Sequence, residues 1–121
     1  MAATVKRVLI VEDEKPLSHA LQLKLQSVGF ETQVANDGQE GLNFVLTGKF
    51  DVMLLDVMMP GLDGFQVLEK MQEMPKKPVV FVLSNLSQPV DEEHIKQLGA
   101  KKYFIKADTP LATIVEEIQK A

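Results

Sequence analysis

Three stretches of this sequence constrain its fold more than anything else. They are Val8-Leu9-Ile10-Val11, Val52-Met53-Leu54-Leu55 and Val79-Val80-Phe81-Val82-Leu83. No polar residue interrupts any of them, so none can keep one face in water. Short, continuous apolar runs of this kind predict strands of a parallel sheet covered on both faces. Two further segments differ in kind. From Phe30 to Ala35 the residues alternate, with Phe30, Thr32 and Val34 set against Glu31 and Gln33. Lys101 to Ile105 is short and begins with two lysines. Both are expected at sheet edges, where one side is wetter and charge discourages further pairing.

Helical patterns separate the five runs. Leu17, Leu21, Leu25 and Val28 recur at helical spacing behind Pro16, and Gly29 ends the pattern. Asp37 and Glu40 predict a capping box for a second helix with Leu42, Val45 and Leu46 on one face and Gly48 beyond its end. Phe65, Leu68 and Met71 mark a third, limited by Pro75. Asp91 is placed to cap a short fourth helix holding Ile95 and Leu98, closed by Gly99. Thr109-Pro110 opens the last, with Leu111, Ile114, Val115 and Ile118 on one stripe. Strands alternating with helices predict an α/β, doubly wound (βα)5 fold, a three-layer sandwich around a parallel sheet. Runs 2 and 5 outside and runs 1, 3 and 4 inside narrow the strand order and fit 2-1-3-4-5, an order known for doubly wound folds.

The 121 residues suffice for a single domain, residues 1–121 with a core of about 6–120, and not for two. Cysteine is absent, which removes disulfide and thiolate chemistry and makes the cytoplasm the expected setting. No apolar run approaches the ~18 residues of a membrane span, and Met1 to Thr4 is too short and too weakly apolar to be expected as a signal peptide. The net charge of −4 lacks the basic footprint of a nucleic-acid binder. A protein, metal or phosphate partner is expected instead.

In open α/β sheets, ligands sit outside the carboxyl ends of the strands. Glu12 and Asp13 follow the first run, Asp56 the third, Ser84 the fourth and Lys106 the fifth. Three carboxylates gathered this way repel one another unless a cation joins them or one is protonated. Oxygen-only donors point to a hard ion such as Mg²⁺. The lysine offsets charge and can hold a phosphoryl oxygen, and the serine hydroxyl can donate to another. Such a set suits phosphoryl transfer, with Asp56 as the nucleophile.

These residues, in this order, resemble the receiver domains of two-component signalling. The motifs are Val-Glu-Asp-Glu at 11–14, Asp-Val-Met-Met-Pro-Gly-Leu-Asp-Gly at 56–64, Leu-Ser-Asn at 83–85 and Tyr-Phe-Ile-Lys at 103–106. The match runs from about Val8 to Ile118. The resemblance implies a flavodoxin-like fold and a phosphoacceptor switch in which Asp56 takes phosphate from a phosphohistidine on a sensor histidine kinase or phosphotransfer protein. Mg²⁺, replaceable by Mn²⁺ or Ca²⁺, would be held by Asp13, by Glu12 (directly or through water), by Asp56 and by the backbone carbonyl of Met58. Ser84 and Lys106 would grip the phosphoryl group, and Ser84 and Tyr103 would form the switch. The surface of helix 4, strand 5 and helix 5 would then control a downstream effector or output domain. A monomer or a phosphorylation-dependent dimer is implied, without direct nucleic-acid or membrane contact. Beyond assisting its own phosphorylation and dephosphorylation, the chain is not expected to be an enzyme.

Two positions depart from the family pattern. Ala107 follows Lys106 where the family usually has a proline in a cis peptide, so a trans bond is expected here. Asn85 stands beside Ser84 where a smaller residue is common. Met58 and Leu86 flank the expected path of attacking water, and their apolar side chains predict a long-lived phosphoryl-aspartate. Other features have plainer readings. Tyr103 also suits edge-strand packing, Asp63-Gly64 suits a turn, and Asp91-Glu92-Glu93 suits a helix N-terminus. His19 and His94 are expected to face solvent on helices, while Met71 and Met74 fit helix packing. A phosphohydrolase of the haloacid dehalogenase type needs an acid where Met58 stands, and no glycine-rich phosphate loop is present. The remaining alternative is a receiver-like adaptor that works without phosphorylation.

Overall fold

The computed structural model describes residues 6–84, 92–106 and 108–121. The expected positions Asn85, Leu86 and Asp91, the Lys106–Ala107 peptide and the Met1–Thr4 terminus fall outside the described residues.

Five strands and five helices alternate along the chain. They are β1 (Arg7–Val11), α1 (Lys15–Ser27), β2 (Glu31–Ala35), α2 (Gly38–Thr47) and β3 (Val52–Asp56), followed by α3 (Gly64–Met71), β4 (Val79–Ser84), α4 (Glu92–Gln97), β5 (Ala100–Ile105) and α5 (Leu111–Gln119). All strand pairs are parallel and the order is β2-β1-β3-β4-β5. The two segments expected at the edges are there. Lys101 and Lys102 are exposed on β5, and Glu31 is exposed on β2.

Alternate residues of the central strands face opposite layers, as their unbroken apolar character requires. Leu9, Val11, Met53, Leu55, Val80 and Val82 pack with Leu42 and Val45 of α2, Val67, Leu68 and Met71 of α3, and Ile95 of α4. Val8, Ile10, Val52, Leu54, Phe81 and Leu83 pack with Leu21 and Leu25 of α1 and with Ile114, Val115 and Ile118 of α5. Each such fully buried aliphatic side chain contributes roughly 1.5–3 kcal/mol by transfer out of water. Met71 is among them, and Met74 packs at the margin.

Three helix starts differ in detail from the sequence expectation. The Asp37 side chain accepts from the Glu40 amide, but the Glu40 carboxylate accepts from the Asn36 amide, so the box on α2 closes one residue upstream. The complete capping box belongs to α3, where Asp63 accepts from the Gln66 amide and the Gln66 side chain accepts from the Asp63 amide. The pair Asp63-Gly64 is thus a helix entrance and not a free turn. On α5, Pro110 itself is the N-cap and no side chain caps the helix, so Thr109 does not serve as one. A proline ring fixes φ before the first helical turn, and that suffices here.

Candidate functional site

The site lies where the strands end. Glu12 follows β1, Asp56 ends β3, Ser84 ends β4 and the residue after β5 is Lys106. Four adjacent strands each deliver one candidate side chain. Glu12 and Asp56 are fully buried and Ser84 is 2 % exposed. Asp13 is half-buried beside them.

Lys106 organises the acids. Its Nζ donates to Oδ2 of Asp56 at 2.9 Å and to Oε2 of Glu12 at 3.0 Å. The Glu12 Oε1 atom lies 2.8 Å from the same nitrogen, and Glu14 Oε1 lies 3.6 Å away. The backbone supports this arrangement. The Met58 amide donates to Oδ1 of Asp56 at 2.9 Å, the Glu14 amide to Oε2 of Glu12 at 3.0 Å, and the Lys106 amide to the Ser84 carbonyl at 2.9 Å.

One ammonium among these acids does not settle their charge. Burial pushes the Glu12 carboxyl up to about 8, against the opposing hydrogen bonds from Lys106 and the Glu14 amide. Burial also raises Asp56, opposed by Lys106 and the Met58 amide. Burial on its own would lower Lys106, but its hydrogen bonds to Glu12 and Asp56 outweigh that and hold it above its ordinary value. The pocket therefore favours an added positive charge, either a proton or a metal cation.

The donors fit a hard divalent cation. Glu12, Asp13 and Asp56 each offer a carboxylate oxygen within 4.8 Å of the others. Oε1 of Glu12 is buried and, although near Lys106, makes no hydrogen bond among the described residues. Its one close partner there is the Lys106 ammonium at 2.8 Å, which is shared with Asp56, so this buried oxygen can take a further cation. Oxygen-only donors match Mg²⁺, which keeps part of its water shell.

Of the residues singled out from sequence, Glu12, Asp56 and Lys106 are in direct contact, with Asp13 close by and Ser84 on the neighbouring strand end. Met58 is 37 % exposed beside the acceptor. Tyr103 is half-buried, opposite Val82 in the β4–β5 register, and packs against the α2–α3–α4 layer outside the acid cluster. His19 and His94 are exposed on α1 and α4, where His94 stacks on Phe65 with centroids 5.5 Å apart. Two participants had not been assigned roles from sequence. Glu14 belongs to the Val-Glu-Asp-Glu motif, and that was its only signal. Asn36 donates from Nδ2 to the Glu12 carbonyl at 3.2 Å, tying the loop after β2 to the acid-bearing loop after β1. Nothing in its residue type announced this.

The family model for the response regulator receiver domain matches residues 8–119. The chain belongs to the response regulator receiver domain family. Its curated relatives include the transcriptional regulatory protein DltR of Streptococcus agalactiae, 39 % identical over 111 residues. That alignment covers 89 % of this chain and 50 % of DltR, so the chain spans half the length of that relative. Among solved structures it resembles the Francisella response regulator 1452 receiver domain, with a TM-score of 0.86, 27 % identity, and 95 % and 94 % of the two chains covered. It also resembles the Thermotoga maritima response regulator TrrA in complex with Mg²⁺-BeF, with a TM-score of 0.82, 27 % identity, and 96 % and 98 % covered. Receiver domains of this family are signalling switches of two-component systems, working between histidine kinases and output effectors. Among the described residues, no helix of this receiver is long and apolar enough to cross a membrane.

Proposed function

We propose that this receiver accepts a phosphoryl group on Asp56 from a phosphohistidine of a sensor histidine kinase or phosphotransfer protein, in the cytoplasm. The observation that carries the reading is the buried Asp56 carboxylate, held by Lys106 on one oxygen and by the Met58 amide on the other. Two fixed donors orient the nucleophile and leave its remaining lone pairs to attack phosphorus. A P–O bond to Asp56 forms as the P–N bond to the donor imidazole breaks, and the bonding pair leaves with the imidazole nitrogen.

Glu12, Asp13 and Asp56, with the Met58 carbonyl, would hold Mg²⁺. Bound there, it supplies charge neutralisation for phosphoryl and carboxylate oxygens. Lys106 then exchanges carboxylate oxygens for a phosphoryl oxygen, and the Ser84 hydroxyl donates to another. Drawing Ser84 and Lys106 toward the new group pulls on the ends of β4 and β5. Tyr103, on β5, would follow and alter the α4–β5–α5 surface that an effector or output domain reads.

Intact mass after incubation with acetyl phosphate tests this, with and without Mg²⁺, on the wild type and on Asp56→Asn. One added phosphoryl group is expected, dependent on Mg²⁺ and absent from Asp56→Asn. Lack of any adduct, with a kinase-derived phosphohistidine donor and short reaction times also tried, would favour the phosphorylation-independent adaptor.

A further inference from the structure

A second surface lies at the opposite end of the sheet, around the N-termini of β3 and β4. A hollow of about 570 Å³ opens there, floored by Val45, Phe50, Met74 and Pro78. It runs on through Val45, Gly48 and Met74 into a neighbouring hollow of about 500 Å³ beside Leu46 and Pro75. Leu46 is 53 % exposed, although its neighbour Val45 is buried in the core. The rim is basic. Lys49, Lys76 and Lys77 border the first hollow, Lys70 the second.

The charges on this rim are not neutralised locally. Among the described residues, Lys49, Lys70, Lys76 and Lys77 take part in no ion pair. Of the acids nearby, Asp51 is engaged by the Arg7 amide at 2.8 Å, and Glu69 and Glu73 border the outer side together with Lys70 without forming an ion pair with it. Four unpaired cations around an apolar floor are unexpected on a chain of net charge −4. The only aromatic ring on the floor is Phe50, and the Arg7 guanidinium covers it at 4.7 Å. A lone ring with one face already taken by a cation is a poor platform for stacking successive nucleic-acid bases. The concave shape does not suit a lipid surface, which calls for a protruding apolar face.

We propose that this groove docks an acidic peptide segment of a partner protein, one carrying an apolar anchor residue between carboxylates. The anchor would enter between Val45, Phe50 and Met74, and the carboxylates would meet the four lysines. Docking here is independent of the phosphorylation state. Asp51 and Asp56 stand at opposite ends of β3, roughly 16 Å apart at strand rise. That exceeds the ~8 Å Debye length at physiological ionic strength. The groove thus adds a constant tether to the phosphorylation-controlled surface, and it does not rest on the phosphoacceptor reading.

The test is a titration of the ¹⁵N-labelled chain with the peptide Glu-Asp-Leu-Glu-Phe-Glu-Asp-Leu, read by amide shifts. Shifts at Gly48, Lys49, Phe50, Met74, Lys76 and Lys77 are expected, equally in Asp56→Asn. They should be absent with a peptide bearing lysine at every acidic position. Lys76→Glu with Lys77→Glu should weaken binding by about tenfold or more, while the unperturbed remainder of the spectrum reports an intact fold. The lysines of the β5 hollow, Lys96, Lys101, Lys102 and Lys120, serve as an internal control. Shifts centred on those lysines, or no groove shifts at millimolar peptide, would overturn the proposal. So would stronger groove shifts with an oligothymidine or with phosphatidylglycerol vesicles, which would assign the surface to those ligands.

Discussion

At the scale of single residues, the site is built from side chains held by backbone groups, and the holders are testable. Asn36 fixes the Glu12 carbonyl from the next loop, and the Glu12 amide in turn donates to the Ala35 carbonyl at 3.0 Å. Asn36→Ala frees that loop without touching any carboxylate. Mg²⁺ affinity measured by calorimetry is expected to fall by roughly tenfold, as for other residues that orient ligands from behind. Saturating Mg²⁺ should restore the initial phosphorylation rate, and a rate that stays low would mean the substitution disturbs Asp56 itself. Met58 gives the second case. Its amide is committed to Asp56, and its exposed thioether beside the acceptor offers no strong polar group to place a water. Met58→Asn is expected to speed loss of the phosphoryl group by about tenfold, a change of ~1.4 kcal/mol in barrier. Phosphate release followed over time checks it, and an unchanged rate would free Met58 of that role. Glu12, Asp56 and Lys106 were legible in the sequence because strand ends can be located from apolar runs and ligands collect there. Asn36 was not, because one side-chain bond to a carbonyl leaves no trace in composition or periodicity.

At the scale of elements, the loop that carries Met58 is positioned by the helix beside it. Gly38 opens α2 against the β3–α3 loop, and a Cβ there would lie 1.9 Å from the Leu62 carbonyl oxygen. That neighbour is backbone and cannot swing aside. Gly38→Ala is expected to destabilise the domain by about 1–3 kcal/mol, the usual range for forced overpacking. Urea unfolding measures it, and Gly41→Ala, whose Cβ would lie 2.8 Å from both γ-carbons of the fully buried Val11, is expected to show a loss of the same kind. The strands and helices themselves were readable. An unbroken run must be buried on both faces, and an alternating or lysine-bearing run must have one wet side, so the pattern dictated which strands lay inside. What escaped was local hydrogen-bond choice. Whether Glu40 reaches back to Asp37 or to Asn36, and whether Asp63 makes a free turn or caps α3, depends on fractions of an ångström that residue identity does not encode. Close approaches such as Gly38 to Leu62 are invisible for the same reason, because they join elements distant in the chain.

At the scale of the whole molecule, the buried acids couple folding to pH and to metal. In metal-free protein the Glu12 carboxyl is pushed up to about 8 by burial, and Asp56 is raised in the same direction. An unfolded chain releases these protons near the ordinary carboxyl values, 4.5 for Glu12 and 3.8 for Asp56. Between those values and about 8, the folded state binds more protons than the unfolded state. Stability must then fall as pH rises through that window. Lys106 acts at higher pH only. Its raised value contributes stability that is present below its unfolded value of 10.5 and lost as pH rises through the higher folded value. Mg²⁺ bound as proposed would reverse the trend in the lower window, because ligation needs deprotonated carboxylates and stabilises only the folded chain. At a hundredfold excess over its dissociation constant it adds about 2.7 kcal/mol. Urea midpoints of metal-free protein should therefore decline from pH 5 to pH 8. Added Mg²⁺ should raise them strongly at pH 8 and little at pH 5. Glu12→Gln keeps the shape and removes the charge, so it should flatten the metal-free decline and blunt the response to Mg²⁺ together. A variant that flattened one and kept the other would separate the proton site from the metal site, and Glu12 would then not be the group that links them.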